Sequence, residues 1–271
     1  MPASDASRMT GICLDHLSLC DISALDLIAV AARLDCEAVS LFVTPLPLGP
    51  YRDLVQDSAA RREVVAALKD TGLGLGIIEP FMIDAAPDWA GLERTAALAA
   101  ELGADINALA FDDQPARLRD AMARLAQIAR AAGTRMTIEG FSLSTVRTPA
   151  DALALAQSSG DDVGITVDTL HVMRTGGSWA DVAALPPERV FHVQLCDGTR
   201  EPPADLATEA VAGRLPPGQG EFALEALLPL LPAQARIAAE APFRAPEGLS
   251  PLERGRIIVD ATRALFARAS T

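Results

Sequence analysis

The feature that most constrains this chain is a regular alternation between two kinds of segment. Short, β-rich apolar runs alternate with longer Ala-, Leu- and Arg-rich stretches that have helical spacing. The strand candidates begin near Thr10, Ala38, Leu73, Asp105, Arg135, Val163, Val190 and Ala235. Eight strand candidates separated by helices, at a repeat of roughly 32 residues, predict an α/β fold, the (β/α)8 barrel.

Helix signals and connection lengths support one domain over residues 1–271. The clearest helix candidates are Ala24–Leu34, Ser58–Lys69, Leu92–Leu102 and Gln114–Ala132. Thr148, Pro149 and Asp151 form a helix-start signal, with a capping hydroxyl, a proline at the first position and an acid at the third. Only the connection Asp197–Gly220, which carries four prolines, exceeds the usual loop length, so it is predicted to be a lid or a functional loop. An open doubly wound sheet is the alternative, but its glycine-rich phosphate fingerprint is missing.

Composition limits the class of protein and its partners. The chain is 50% hydrophobic and 22% charged, as expected for an ordinary globular protein, with a net charge of −13 that argues against a nucleic-acid partner. No apolar run approaches the roughly 18–20 residues of a membrane-spanning helix, and the first residues lack a secretory pattern. Four cysteines without C-x-x-C spacing predict reduced thiols in a cytoplasmic protein.

Polar residues end several strands of the second half, where a buried strand should be apolar. These residues are Glu139, Asp168, Gln194 and Glu240. In a barrel the carboxyl ends of the strands converge, so these side chains are expected to lie close together. Three carboxylates in a semi-enclosed site require large pKa shifts or a cation. Because all four residues offer oxygen, the pattern predicts one divalent metal ion, with Mn²⁺, Mg²⁺ or Co²⁺ favoured over Zn²⁺.

Three histidines and one more acid fall at or near predicted strand ends. His171, three residues after Asp168, is a candidate to orient a substrate hydroxyl or to move a proton. His192 is either a substrate contact or a histidine satisfied inside the barrel. His16, predicted to end the first strand in C-L-D-H, and Glu79, predicted at the end of the third, are further substrate-binding candidates.

The region from Arg135 to Phe243 resembles the xylose isomerase-like TIM barrels, the sugar phosphate isomerase/epimerase group. The resemblance rests on the motifs I-E-G-F, D-T-L-H, H-V-Q-L-C-D-G, P-G-Q-G-E-F and A-E-A-P-F, in this order. It extends through the strand–helix rhythm to nearly the whole chain. The resemblance implies a small-molecule sugar or keto-polyol substrate, and it allows a homodimer because family members often pair.

The resemblance also implies roles for individual residues. By position, Glu139, Asp168, Gln194 and Glu240 would bind the metal, and the two glutamates would exchange a proton on opposite faces of the substrate. His171 would contact substrate oxygens, and Arg200 has the spacing of an arginine that grips the far end of the sugar. Gln194 departs from the histidine of the epimerases and looks like the glutamine of the bacterial 3-dehydroshikimate dehydratases.

Two reactions share the same first step and both remain open. A metal-bound carbonyl would lose a proton from the neighbouring carbon, which gives an enediolate. Return of the proton elsewhere makes the protein a metal-dependent isomerase or epimerase, the main expectation. Loss of a β-hydroxyl makes it a dehydratase (lyase) of a cyclic keto-acid or keto-cyclitol. A non-catalytic ligand-binding barrel is the third alternative.

Overall fold

Eight parallel strands close into a barrel in chain order in the computed structural model, which describes residues 11–269. The strands are β1 Cys13–Leu14, β2 Ala38–Phe42, β3 Gly74–Ile83, β4 Asp105–Ala110, β5 Met136–Glu139, β6 Gly164–Asp168, β7 Val190–Leu195 and β8 Arg236–Ala239. The first and last strands pair through Cys13 with Ala238, which completes the ring. The predicted (β/α)8 fold is confirmed. Thr10 and the leading residues interpreted for targeting lie outside the described part of the chain.

Helices cover the outside of this ring. They are α1 Ala24–Arg33, α2 Ser58–Thr71, α3 Trp89–Leu102, α4 Pro115–Ala132, α5 Pro149–Ser159, α6 Thr169–Arg174, α7 Trp179–Ala183, α8 Leu206–Ala212, α9 Leu224–Leu227 and α10 Pro251–Ala269. The start of α5 has the predicted capping box, in which Thr148 and Asp151 satisfy each other's backbone N–H groups. The start of α3 lies three residues before the predicted one, because Asp88 rather than a later residue caps it.

The barrel separates an apolar outer layer from a polar interior. On β6, Ile165 and Val167 are fully buried in the hydrophobic core between the strands and the helices. The alternate residue Thr166 is fully buried too, and its hydroxyl donates to Thr137 Oγ1 on β5 at 2.9 Å. Thr137 in turn donates to Asn107 Oδ1 on β4 at 3.0 Å. Inward-facing side chains are therefore joined by hydrogen bonds beneath the carboxyl ends of the strands.

The long connection after β7 folds back toward the barrel. Asp197 and Leu215 exchange backbone hydrogen bonds of 2.8 Å, and the Asp197 carboxylate accepts from the backbone N–H groups of Gly218 and Phe222. Gly220 is required here, because a Cβ would lie 2.5 Å from the Gly198 carbonyl oxygen. The connection is thus a fixed loop that presents its residues to the carboxyl end of the barrel.

Two other expectations bear on the fold. All four cysteines are unpaired, as predicted. Within residues 11–269, no helix combines the length and the apolar character needed to cross a membrane.

Candidate functional site

Five carboxyl groups meet at the carboxyl ends of the strands. Four of them were singled out in the sequence: Glu79 on β3, Glu139 at the end of β5, Asp168 at the end of β6 and Glu240 directly after β8. The fifth is Asp15, directly after β1. All five are at most 8% exposed. Their donor atoms form two groups, each within 4.8 Å: Glu139 and Asp168 with His171, and Asp15 and Glu79 with Glu240.

Glu79 does not end its strand, contrary to the prediction. β3 continues for four more residues, to Ile83, and its register with β4 shifts between Ile78 and Phe81. This irregularity lies at Glu79 itself, whose side chain lies in the carboxyl cluster. Glu79 therefore takes part in the site from within a strand.

Two buried amides connect the carboxyl groups. Asn107 on β4 donates from Nδ2 to Glu79 Oε2 at 3.0 Å and to Glu139 Oε2 at 2.7 Å. Gln194 on β7 places Nε2 at 3.4 Å from both carboxylate oxygens of Glu79, a long contact. Its Oε1 atom is buried without a hydrogen-bond partner. Asn107 thus holds two acids in place, while Gln194 keeps an acceptor oxygen available.

A buried arginine compensates part of the negative charge. Arg214, from the long connection, is 2% exposed, and its Nη1 lies 2.7 Å from Asp168 Oδ2 and 2.9 Å from Glu240 Oε2. Its Nε donates to the Ala210 carbonyl at 2.8 Å, and its backbone N–H donates to the Pro242 carbonyl at 3.1 Å. Arg214 therefore bridges β6 and the end of β8 with a fixed positive charge.

The pKa values show how this charge is shared. Burial raises the pKa of Asp168, but Arg214 and His171 outweigh burial and hold it at about 2. Burial, with the nearby Asp168 charge, raises the pKa of Glu139 to about 8. Burial also raises the pKa of Glu240, against the effect of Arg214, and that of Glu79, together with the charges of Asp15 and Glu139. One arginine cannot neutralise five acids, so the others need protons or another cation.

His171 joins the cluster as a neutral side chain. Burial lowers its pKa to about 4, against the effect of the Asp168 charge. Its Nδ1 lies 2.9 Å from Ser142 Oγ, and its ring packs edge-on against Phe141 at 4.4 Å between centroids. Its Nε2 lies 3.7 Å from Glu139 Oε1 and 3.6 Å from Asp168 Oδ2, too far for hydrogen bonds, and has no partner. This nitrogen is free to contact a ligand oxygen.

The structure does not bring His16 and His192 into the cavity. His16 has both ring nitrogens satisfied by the backbone: Nδ1 accepts from Phe42 N–H at 3.2 Å and Nε2 donates to the Ile22 carbonyl at 3.1 Å. His192 binds Asp105 Oδ2 at 2.7 Å through Nε2, near the amino ends of the strands. Of its two predicted roles, His192 therefore takes that of a histidine satisfied inside the barrel.

Arg200 also lies away from the cluster. Arg200 is exposed, and its backbone N–H donates to the Glu221 carboxylate on the surface of the long connection. Its side chain lines a surface depression with Trp179 and Met173 rather than the barrel mouth. The arginine in the site is Arg214, because the hydrogen bonds of Asp197 turn that part of the connection inward.

A cavity of about 250 Å³ opens over the carboxyl groups. Its polar lining consists of Glu79, Glu139, His171, Arg214 and Glu240. The rest of its lining is apolar and comes from β2, β3 and β4, from the segments after β1, β2 and β5, and from α8. A small molecule in this cavity would contact both glutamates, His171 and Arg214 at once.

The residues fit a divalent cation with oxygen ligands. Gln194 Oε1 and Asp15 Oδ2 are buried acceptors without partners, and such orphaned atoms are rare unless a ligand or water satisfies them. The surrounding carboxylates carry more negative charge than Arg214 compensates, and hard oxygen donors suit Mg²⁺ or Mn²⁺. Of the four predicted ligands, Glu139 and Asp168 belong to one donor group, Glu240 belongs to the other, and Gln194 lies beside Glu79 of that second group.

Fold and site together define a (β/α)8 barrel with an acidic, cation-compatible site at the carboxyl ends of its strands. The family model described as xylose isomerase-like TIM barrel matches residues 28–241. The chain belongs to this family.

Similar proteins include dehydratases and metal-binding barrels. A 3-dehydroshikimate dehydratase of Pseudomonas aeruginosa is 28% identical over 198 residues, 65% of this chain and 30% of the relative. The match thus spans less than a third of that relative's length. The structure of the probable 3-DHS dehydratase AsbF from Bacillus anthracis superposes with a TM-score of 0.72 at 15% identity, covering 94% of this chain and 98% of that one. An IOLI protein with a bound zinc atom gives a TM-score of 0.76 at 17% identity, covering 96% and 99%.

Replacement of Arg214 by methionine is expected to destabilise the metal-free protein by about 3–5 kcal/mol at pH 7, because Asp168 and Glu240 lose their buried cation. Urea unfolding at fixed pH measures the change. The control is Arg130→Met, since the Arg130–Asp162 ion pair is half exposed and such a surface pair is expected to contribute little to stability. Equal effects of the two substitutions would contradict a charge-compensating role for Arg214.

The buried side chain of His16 is expected to make the protein less stable as the pH falls. Burial lowers its pKa to about 4, below the unfolded value of 6.5, and a second proton on the ring would also face the Phe42 N–H. The unfolded state therefore binds more protons between these values. The stabilisation is complete above pH 6.5 and falls by about 3 kcal/mol as the pH drops to 4. Urea unfolding of wild type and His16→Gln across this range should show a steeper loss in the wild type; parallel profiles would refute the assignment.

Proposed function

We propose that this protein is a divalent-metal-dependent enzyme that moves a proton at a carbon next to a carbonyl group of a small hydroxy-ketone, as an isomerase or epimerase. The observation that carries the proposal is the placement of Glu139 and Glu240. Both are buried acids with raised pKa values, and both line the same small cavity as the unpartnered Nε2 of His171.

Two such acids suit proton exchange at neutral pH. Before a cation binds, burial and the Asp168 charge raise the pKa of Glu139 to about 8, so its carboxyl can carry a proton at pH 7. Glu139 ends β5 and Glu240 follows β8, and two strands separate β5 from β8 in the ring, so the two acids would approach a ligand from different sides. One would remove the proton, and the other would return it on the opposite face or on the neighbouring carbon.

The other polar groups would position the substrate. His171 offers its free Nε2 to a substrate oxygen, held in place by Ser142 and Phe141. Arg214 borders the cavity and keeps Asp168 ionised, and Asn107 fixes the Glu139 carboxyl. A divalent cation held by Glu139, Asp168, Gln194 and Glu240 would supply Lewis-acid stabilisation of negative charge on the substrate oxygen.

A dehydratase is the second candidate. It is supported by the curated relative, the 3-dehydroshikimate dehydratase of Pseudomonas aeruginosa, and by Gln194 at the position where the epimerases have histidine. The same proton removal would then be followed by departure of a β-hydroxyl, with Glu139 or Glu240 as the proton donor to the leaving group.

A solvent-deuterium exchange screen tests the proposal. The Mn²⁺-loaded protein is incubated in D₂O with ketoses, inososes and 3-dehydroshikimate, and NMR identifies any substrate carbon that gains deuterium. Exchange without net dehydration supports the isomerase or epimerase, whereas growth of a conjugated-enone absorbance supports the dehydratase. Tight binding without exchange at any carbon would leave only a ligand-binding barrel.

Replacement of Glu139 by glutamine is expected to lower the exchange rate by about 100-fold or more, because the amide cannot carry the proton. The matched control is Glu101→Gln on the exposed surface of α3, which should exchange at the wild-type rate. Metal content is measured by elemental analysis on each variant. Unchanged turnover and unchanged metal content in Glu139→Gln would refute the role of this residue.

A further inference from the structure

The side chains that form the walls of the candidate cavity are apolar, whereas those at its floor, beside the carboxyl cluster, are polar. Eleven of its sixteen lining residues are apolar, and the five polar ones are the glutamates, His171 and Arg214 at the floor. Leu109, Met82 and Leu46 are among the wall residues, together with Phe141 and Val211. In the described part of the chain, the cavity lining thus contains no serine, threonine, asparagine or lysine.

The apolar surface continues outward from the cavity. Met82, Phe111 and Leu143 are 47%, 37% and 39% exposed, and they make up three of the five exposed large hydrophobic side chains within residues 11–269. They lie at the end of β3, after β4 and after β5, on the face where the cavity opens. The Phe111 and Phe141 rings are in edge contact at 6.2 Å between centroids. Apolar side chains concentrated at the mouth of one pocket are typical of a ligand-binding surface.

The charges of the site also limit the ligand. Arg214 is the one Lys or Arg among the residues that line the cavity, and its charge is already shared by Asp168 and Glu240. A carboxylate or phosphate at the far end of a ligand would face leucine, methionine and phenylalanine without a cation. An unpaired charge among these side chains is unfavourable to the extent that the bound ligand takes it out of water.

We infer that the substrate is a compact, uncharged hydroxy-ketone with a hydrocarbon body, rather than a polyhydroxylated sugar or a keto-acid. This inference rests on the proposed function. The carbonyl end would meet Glu139, His171 and Glu240, and the hydrocarbon body would lie against Leu109 and Met82. A volume of about 250 Å³, below the usual range for drug-sized ligands, limits the body to about one ring. Each ring hydroxyl without a partner at these walls would weaken binding by roughly tenfold.

Two ketones with the same ring test the inference directly. 2-Hydroxycyclohexanone carries the hydroxy-ketone on a hydrocarbon ring, whereas an inosose carries hydroxyls on the remaining ring carbons. 3-Dehydroshikimate adds a carboxylate. The Mn²⁺-loaded protein is given each compound in D₂O, and NMR measures both the exchange rate and, by saturation transfer, binding. We expect exchange per unit concentration to be at least about 100-fold faster with 2-hydroxycyclohexanone than with the other two.

Wall variants locate the origin of the preference. Met82→Gln keeps the side-chain length of a half-exposed residue, so it should fold normally, and it should reduce the preference about tenfold. Leu109→Asn should do the same on the neighbouring strand. The control is Val65→Thr, an isosteric change at an exposed apolar residue of α2, which should leave the preference unchanged.

The outcomes separate this inference from the proposed function. Exchange of the inosose or of 3-dehydroshikimate at an equal or faster rate would overturn the inference and leave the proton-transfer function standing. Tighter binding of 2-hydroxycyclohexanone without exchange would support the apolar preference and contradict the function. No exchange and no preference in binding would contradict both.

Discussion

The constraint on which the site depends is the burial of five carboxyl groups around one arginine. Arg214 contacts Asp168 and Glu240, and the remaining acids are left with raised pKa values or unpartnered oxygens. Such an arrangement is unfavourable by itself, because desolvation penalises each charge. The barrel tolerates it because Asn107 donates to Glu79 and Glu139, because backbone N–H groups donate to Asp15 and Asp168, and because oxygen atoms remain that could receive an additional cation.

The fold explains how these groups come together. In a closed parallel barrel every strand delivers its carboxyl end to the same opening, so residues far apart in the sequence become neighbours. The outer faces of the strands bury apolar side chains under the helices, which leaves the inner face free to carry a polar network from Thr166 through Thr137 to Asn107. The network supports the acids from below, and residues of β3, β4, α8 and the loops above them supply the apolar walls around the cavity.

The fold and part of the candidate site were predictable from the sequence. The strands and helices obey simple apolar periodicities, and the predictable site residues interrupt them. Glu139 and Asp168 interrupt apolar strands at their last residue, a pattern that only a polar site explains well. Arg214 was not predictable, since its inward position depends on the Asp197 hydrogen bonds that fold a proline-rich connection back. Arg200, which is nearer to the end of β7 in the sequence, lies on the surface. Asp15 was missed because β1 has two residues, too few to show which neighbour faces inward. Asn107 was visible as a polar residue inside β4, at a position that shares its face with Leu109.

We propose that the acids at the ends of β5, β6 and β8 bind one divalent cation together with Gln194, beside Arg214. Anomalous diffraction from crystals soaked in Mn²⁺ tests it most directly. We expect a single strong manganese peak within bonding distance of oxygen atoms from Glu139, Asp168, Gln194 and Glu240. A peak held by other residues, or a protein that binds no manganese while its carboxyl cluster is intact, would contradict it.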